Sequence, residues 1–215
     1  LRLSVNNLAC DRGERRIFEG VSFTLRPGEA LVITGRNGAG KSSLLDLLAG
    51  RLQPAAGTIR LENAGERSLA ECLHYVGHRD ALKAALTAEE NLGFARDFLG
   101  NPALSPHEAL EAVGLGHAAR LPVAYLSAGQ RRRVALARLL VAHRPVWLLD
   151  EPTSALDTAS QETLRLLLES HRAGGGMIAA TTHAPLFLSD AKEIRIERRP
   201  LPAHGDSPQP EGGNR

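Results

Sequence analysis

Gly35-Arg36-Asn37-Gly38-Ala39-Gly40-Lys41-Ser42 is the stretch on which the fold turns. The apolar run Ala30–Thr34 leads into it, and Lys41 to Ala49 follows with a helical composition. Strand, glycine-rich turn, Lys-Ser and helix in that order match the spacing of a phosphate-binding loop. Gly35, Gly38 and Gly40 let the backbone turn tightly. Consecutive N–H groups, through Asn37 and Ala39 to Ser42 and Ser43, can then point at phosphate oxygens. The helix that follows adds the positive end of its dipole. Lys41 is placed to reach the β- and γ-phosphates of ATP, and the Ser42 hydroxyl to bind Mg²⁺, a hard cation that prefers oxygen.

Outward from the loop, Pro145-Val-Trp-Leu-Leu-Asp150-Glu151-Pro152 reads as a strand buried on both faces and ending in two acids. Ligands of such sheets sit at the carboxyl ends of the strands. Asp150 is therefore placed to hold the Mg²⁺ shell, and Glu151 to orient and polarise an attacking water. Positioning and charge carry most of a phosphoryl transfer, so few side chains are needed. Gly176 to Thr182 reads as another strand, and His183 follows it as a candidate γ-phosphate contact that holds Glu151 in line.

The remaining chain is consistent with one compact α/β domain. It has 215 residues, 43% of them hydrophobic, and a formal net charge of +2 from 26 basic and 24 acidic residues. That balance argues against a dedicated nucleic-acid binder. Cys10 and Cys72 form no metal or haem-attachment motif and fit a reducing compartment. No run of about eighteen apolar residues and no basic-then-apolar leader is visible, so direct membrane insertion is not expected.

Leu1 to Leu8 and Arg16 to Leu25 alternate like antiparallel strands. A loop over Gln53–Gly57 closes the first helix. Helices are expected over Ala88–Leu99, Pro106–Val113, the segment after Ser127, and Thr158–Arg172 with Leu164, Leu167 and Leu168 on one face. Arg131–Arg133 reads as a solvated helix face, with contact to nucleotide or partner as the alternative. Residues 198–215, rich in Pro, Gly and polar side chains, are expected to be disordered.

Leu126-Ser127-Ala128-Gly129-Gln130 resembles the signature motif of the ATP-binding cassette (ABC) ATPases, usually Leu-Ser-Gly-Gly-Gln, with Ala128 the departure. With Ser154-Ala-Leu-Asp157 and the motifs above, the resemblance spans residues 1–197. It implies an ABC-type P-loop NTPase with a RecA-like core and an antiparallel β subdomain (1–86 and 143–197). A helical signature subdomain (87–142) is inserted between them.

It further implies a homodimer with each ATP between the phosphate loop of one copy and the signature of the other. Ser127, Gly129 and Gln130 then face the partner's γ-phosphate, and Asp157 links the two sites. The family's adenine-stacking aromatic is absent from Cys10-Asp11-Arg12-Gly13, leaving Arg12 to stack through its guanidinium plane. His78 stands where the family carries a glutamine. Because Mg²⁺ prefers oxygen, this imidazole acts through water or does not touch the metal, and coupling to partners is its expected role.

Val76-Gly77-His78, Leu86-Thr87, Leu121-Pro122-Val123 and Arg133-Val-Ala-Leu-Ala-Arg138 are together similar to one branch, the ATPase subunits of the cytochrome c maturation system. That resemblance implies integral membrane permease partners and a place on the cytoplasmic face of a bacterial inner membrane. It also implies work coupled to haem export or to release of a haem-loaded chaperone. An exporter ATPase for another substrate and a soluble cassette protein are the alternatives. Lys41 and Ser127 lie too close in sequence to hold the long coiled-coil insertion of soluble DNA-repair cassettes.

Overall fold

The computed structural model describes residues 1–182 and 188–197. His183 and the tail from Arg198 to Arg215 lie outside the described residues.

Two sheets form the body. Strands β1 (Arg2–Arg12), β2 (Arg15–Leu25) and β4 (Ala56–Glu62) make an antiparallel sheet in the order β2-β1-β4. Leu3 is paired with Leu25 on one side and Leu61 on the other. Strands β3 (Ala30–Thr34), β5 (Leu73–Val76), β6 (Val146–Asp150), β7 (Met177–Thr181) and β8 (Lys192–Arg195) form a parallel sheet in the order β5-β6-β7-β3-β8. Every residue of β6 and β7 is buried, as their unbroken apolar runs require of strands covered on both faces.

Helix α1 (Lys41–Leu48) sinks Leu44, Leu45, Leu47 and Leu48 into the cluster shared by the two sheets. The short α2 (Leu69–Cys72) precedes β5. Helices α3 (Ala88–Leu99), α4 (Pro106–Ala112) and α5 (Ala128–Ala137) all lie between β5 and β6 in sequence. They close around a separate apolar cluster that includes Leu92, Leu110, Leu115, Val123 and Val134. Helix α6 (Thr158–Ala173) buries Leu164 and Leu168, with Leu167 partly covered.

One expectation is corrected. The loop predicted over Gln53–Gly57 ends earlier, because Ala56 opens β4 and pairs across to Ala9 on β1, with Gly57 at the irregularity before Thr58 pairs with Asn6. Gly57 keeps φ +88° there, where a Cβ would lie 2.4 Å from the Asn7 carbonyl oxygen. Among the described residues no helix is long and apolar enough to cross a membrane.

Candidate nucleotide site

Register brings the candidate residues to one rim. Val76 pairs with Leu149, Asp150 with Thr181, and Ile33 also with Thr181. The carboxyl ends of β5, β6, β7 and β3 therefore lie side by side. The phosphate loop, the Asp150-Glu151 pair, Thr182 and the segment around His78 all leave the sheet at that level.

The loop is shaped by crowding as well as by torsion. Gly35 has φ +143°, and a Cβ there would lie 2.4 Å from the Ile196 carbonyl oxygen. Gly40 has φ +107°, and its Cβ would strike Ile17 at 2.5 Å. Any other residue at either position would push the loop off the sheets that carry it. Gly40 also caps α1 without a side-chain hydrogen bond, and no acid occupies that helix's first turn. No acid of the helix itself therefore cancels the positive pole of α1. Lys41 is buried to 7% exposure, and its Nζ donates to the Gly35 carbonyl at 3.0 Å, which folds the ammonium back across the loop. Asn37 and Gly38 are exposed on the loop. Ala39 is buried, and its N–H closes a turn onto the Arg36 carbonyl at 3.1 Å. Ser43 is half-buried beside Cys10.

At the end of β6, Asp150 is 4% exposed and accepts two hydroxyl protons on the same oxygen. The Ser42 hydroxyl donates to its Oδ1 at 3.1 Å, and the Thr181 hydroxyl at 2.6 Å. Thr181 Oγ1 in turn accepts the Glu151 N–H at 3.0 Å. One threonine on β7 thus fixes the Asp150 carboxylate and the Glu151 backbone together. Glu151 has φ +48°, a left-handed conformation that costs a non-glycine residue about 1–3 kcal/mol and is held only where surroundings impose it.

The signature segment stands apart from this cluster. Ser127 caps α5: its Oγ accepts the Gln130 N–H at 3.2 Å, while the Gln130 side-chain oxygen accepts the Ser127 N–H at 2.8 Å. A Cβ on Gly129 would lie 2.9 Å from the Ala155 carbonyl oxygen, whereas Ala128 is exposed. Alanine is therefore accommodated at the first of the two usual glycine positions and would be crowded at the second. Asp157 caps α6 by accepting the Ser160 N–H at 2.8 Å, which lowers its pKa. Arg12 reaches toward Asp46 of α1 at 3.7 Å with half of its side chain exposed. His78 is exposed, two residues past β5.

Residues 18–154 match the family described as ABC transporter. The chain belongs to the ABC transporter family. It is 56% identical over 195 residues to the cytochrome c biogenesis ATP-binding export protein CcmA of Rhodopseudomonas palustris, covering 90% of this chain and 97% of that one. To the protein of the same name from Nitrobacter winogradskyi it is 57% identical, covering 91% and 98%. Among solved structures it superposes with a TM-score of 0.78 on a dimeric ATP-binding cassette in a post-hydrolysis state bound to ADP and Pi. That match has 26% identity and covers 91% of this chain and 94% of the other.

Within this ABC chain, the strand end at Thr181-Thr182 that the sequence brings to the site lies opposite Asp150, and this register adds the contact made by the Thr181 hydroxyl. The basic run Arg131–Arg133 is not a solvated face. Arg131 donates to the Leu126 carbonyl, Arg133 to the Val113 carbonyl at 3.2 Å, and Arg132 is 3% exposed. Each guanidinium donates to backbone carbonyls, and Arg132 to the Asp80 carboxylate as well. Three consecutive arginines on a helix that buries Val134, Ala135, Leu136 and Ala137 cannot all face water, since successive residues are rotated by about 100°.

Proposed function

We propose that this chain is the ATP-hydrolysing subunit of a membrane-bound complex in cytochrome c biogenesis. Two copies close on ATP, and hydrolysis is coupled to haem export or to release of a haem-loaded chaperone. The observation that carries the hydrolytic part is the Ser42–Asp150–Thr181–Glu151 linkage at the carboxyl rim of the sheet. The cytochrome c part is supported by the names of the relatives and by the resemblance of the His78 and Leu126–Gln130 segments to that branch.

In this reading the loop amides and Lys41 grip the β- and γ-phosphates. Swinging off the Gly35 carbonyl, the ammonium exchanges a neutral acceptor for a charged one. The Ser42 hydroxyl and an Asp150 carboxylate oxygen are both hard oxygen donors, a pair that fits the Mg²⁺ accompanying ATP. When bound, that ion supplies positive charge to the phosphate oxygens. Glu151 orients the attacking water and accepts its proton, and His183 keeps its expected role as a γ-phosphate contact. Across the dimer the Ser127 hydroxyl has spent one lone pair on the Gln130 N–H, and its own proton remains available for the partner's phosphate. Arg12 lies against the base. The exposed, stacked Phe94 and Phe98, with Lys83 over the Phe94 ring, offer the helical subdomain an apolar surface for integral membrane subunits. The site of action is the cytoplasmic face of the inner membrane.

Glu151→Gln tests the hydrolytic role. Turnover is expected to fall at least about a hundredfold, the usual weight of a general base, while ATP binding persists and the closed dimer lives longer. Steady-state hydrolysis at the parent rate would remove Glu151 from the mechanism. Purification from native membranes tests the biological part. Haem-handling integral proteins should accompany the chain, and an unrelated permease in their place would make it the ATPase of another exporter.

A further inference from the structure

We infer that Arg132 is a positioning residue for hydrolysis, holding the Glu151 elbow in register with the segment Gly77–Asp80. This inference rests on the reading of Glu151 given above. Arg132 projects from α5 with its side chain 4% exposed. Its Nη2 donates to the carbonyls of Asp150 and Glu151, both at 2.8 Å, and its Nε to Pro152 at 3.4 Å. Its Nη1 donates to the Gly77 carbonyl at 2.8 Å and to Asp80 Oδ1 at 3.2 Å. All five acceptors lie at the last residue of β6 or in the loops that follow the neighbouring strands β5 and β6.

The chemistry matches the task. A buried cation is costly unless its donors are met, and here four carbonyls and one carboxylate meet them. A lysine could match the charge but not the fork, since three donors on one nitrogen cannot serve acceptors spread over two loops. The left-handed Glu151 needs an outside restraint, and two successive carbonyls of that elbow converge on a single guanidinium nitrogen. The same side chain grips the loop that carries His78. Displacing Gly77–Asp80 therefore pulls on Arg132 and, through it, on the carboxylate that orients water. Asp80 is held from a second side, where Arg138 donates to its carbonyl at 3.5 Å.

The test compares Arg132→Lys, Arg132→Gln, Asp80→Asn and Glu151→Gln in the full chain, free and with its membrane partners. The readouts are kcat, KM for ATP, affinity for a non-hydrolysable ATP analogue, and Tm. Both Arg132 variants should lose about a hundredfold in kcat, the scale of an ångström-sized misplacement, with analogue affinity unchanged. Asp80→Asn leaves the bonds to the β6 loop intact. It should lower kcat several-fold and blunt stimulation by the partners, again at unchanged affinity, and it decides the matter if the Arg132 variants fail to fold. Arg132→Lys with parental kcat would overturn the proposal, because only charge neutralisation of Asp80 would then matter. Parallel loss of kcat, analogue binding and Tm in every variant would reduce Arg132 to a structural role and overturn it as well. An active Glu151→Gln would instead remove the reading beneath it, and is distinguishable because that variant leaves Arg132 untouched.

Discussion

Helices α3 and α5 begin alike and differ in one functional group. In each, a hydroxyl at the cap accepts the N–H three residues on, and the side chain at that third position reaches back to the cap N–H. In α3 the reaching side chain is Glu90, with Glu89 beside it; in α5 it is Gln130, with no acid in the first turn. Helix α4 uses Glu108 and the short α2 uses Glu71. A carboxylate there satisfies the cap and also cancels the positive pole of the helix, whereas an amide satisfies the cap and leaves the pole standing. Helix α1, capped by glycine without any side-chain bond, is bare in the same sense. The two bare termini are those that the proposed mechanism sets against phosphate, and α2, α3 and α4, with a glutamate in the first turn, take no part in it.

The largest expected effect removes the cation that supplements the bare pole of α1. Lys41→Ala should weaken ATP binding about a hundredfold, the value of two charge-assisted hydrogen bonds at about 1.5 kcal/mol each. Equilibrium binding of a fluorescent ATP analogue measures it, and unchanged affinity would place Lys41 outside the phosphate site. Next comes Gln130→Glu, which gives α5 the cap of α3. Tm should hold or rise, because a carboxylate strengthens the cap. Hydrolysis should fall about tenfold as a negative charge enters the pole offered to the partner's phosphate. ATP binding to the isolated chain should not change, since α5 serves the other copy's nucleotide. Full hydrolysis in Gln130→Glu would show that the neutrality of that turn has no catalytic purpose.

How much of this was legible depends on whether a residue's work is local. The loop 35–42 and the apolar run into Asp150 announce themselves because their chemistry is written in consecutive residues. The helices of the inserted segment were legible too, their Ser/Thr-x-x-Glu starts being local signals. Strands β4, β5 and β8 were not. The first is largely exposed and carries Gly57, the second is four residues long and contains His74, and the third reads Lys-Glu-Ile-Arg. Each is a strand because a neighbour supplies the ladder, which no local pattern records. His74 survives inside β5 as a neutral imidazole: burial pushes its pKa down to about 4, and its Nε2 lies 2.9 Å from the Ala142 carbonyl. Arg132 was hidden for a related reason, since its partners stand 18 to 55 positions away, and the Thr181 hydroxyl's part was hidden likewise, its partners lying 30 to 31 positions away.

The smallest effect is the sharpest test of the comparison between α3 and α5, because it separates them by pH. The bonds from Thr87 to Glu90, and those from Ser105 to Glu108, hold both carboxyls below the ordinary value of 4.5. A depressed carboxyl contributes stability that is present above its unfolded pKa and lost as pH falls through the folded one. The caps of α3 and α4 should therefore loosen below about pH 4.5, while the Gln130 cap of α5 has nothing to titrate. Global stability is a poor readout there. His74 and His171, both lowered to about 4 by burial, already drain stability as pH falls from about 6.5, roughly 3 kcal/mol each by linkage. Amide exchange at the first turns isolates the caps. Between pH 5.5 and pH 4, after correction for intrinsic rates, protection at Glu90 and Asn91 should fall relative to that at Gln130 and Arg131. Glu90→Gln should abolish that difference at the cost of a small drop in Tm, with ATP hydrolysis unchanged. If α3 and α5 lose protection in step as the solution is acidified, the two caps are equivalent. The glutamine of α5 would then owe nothing to electrostatics.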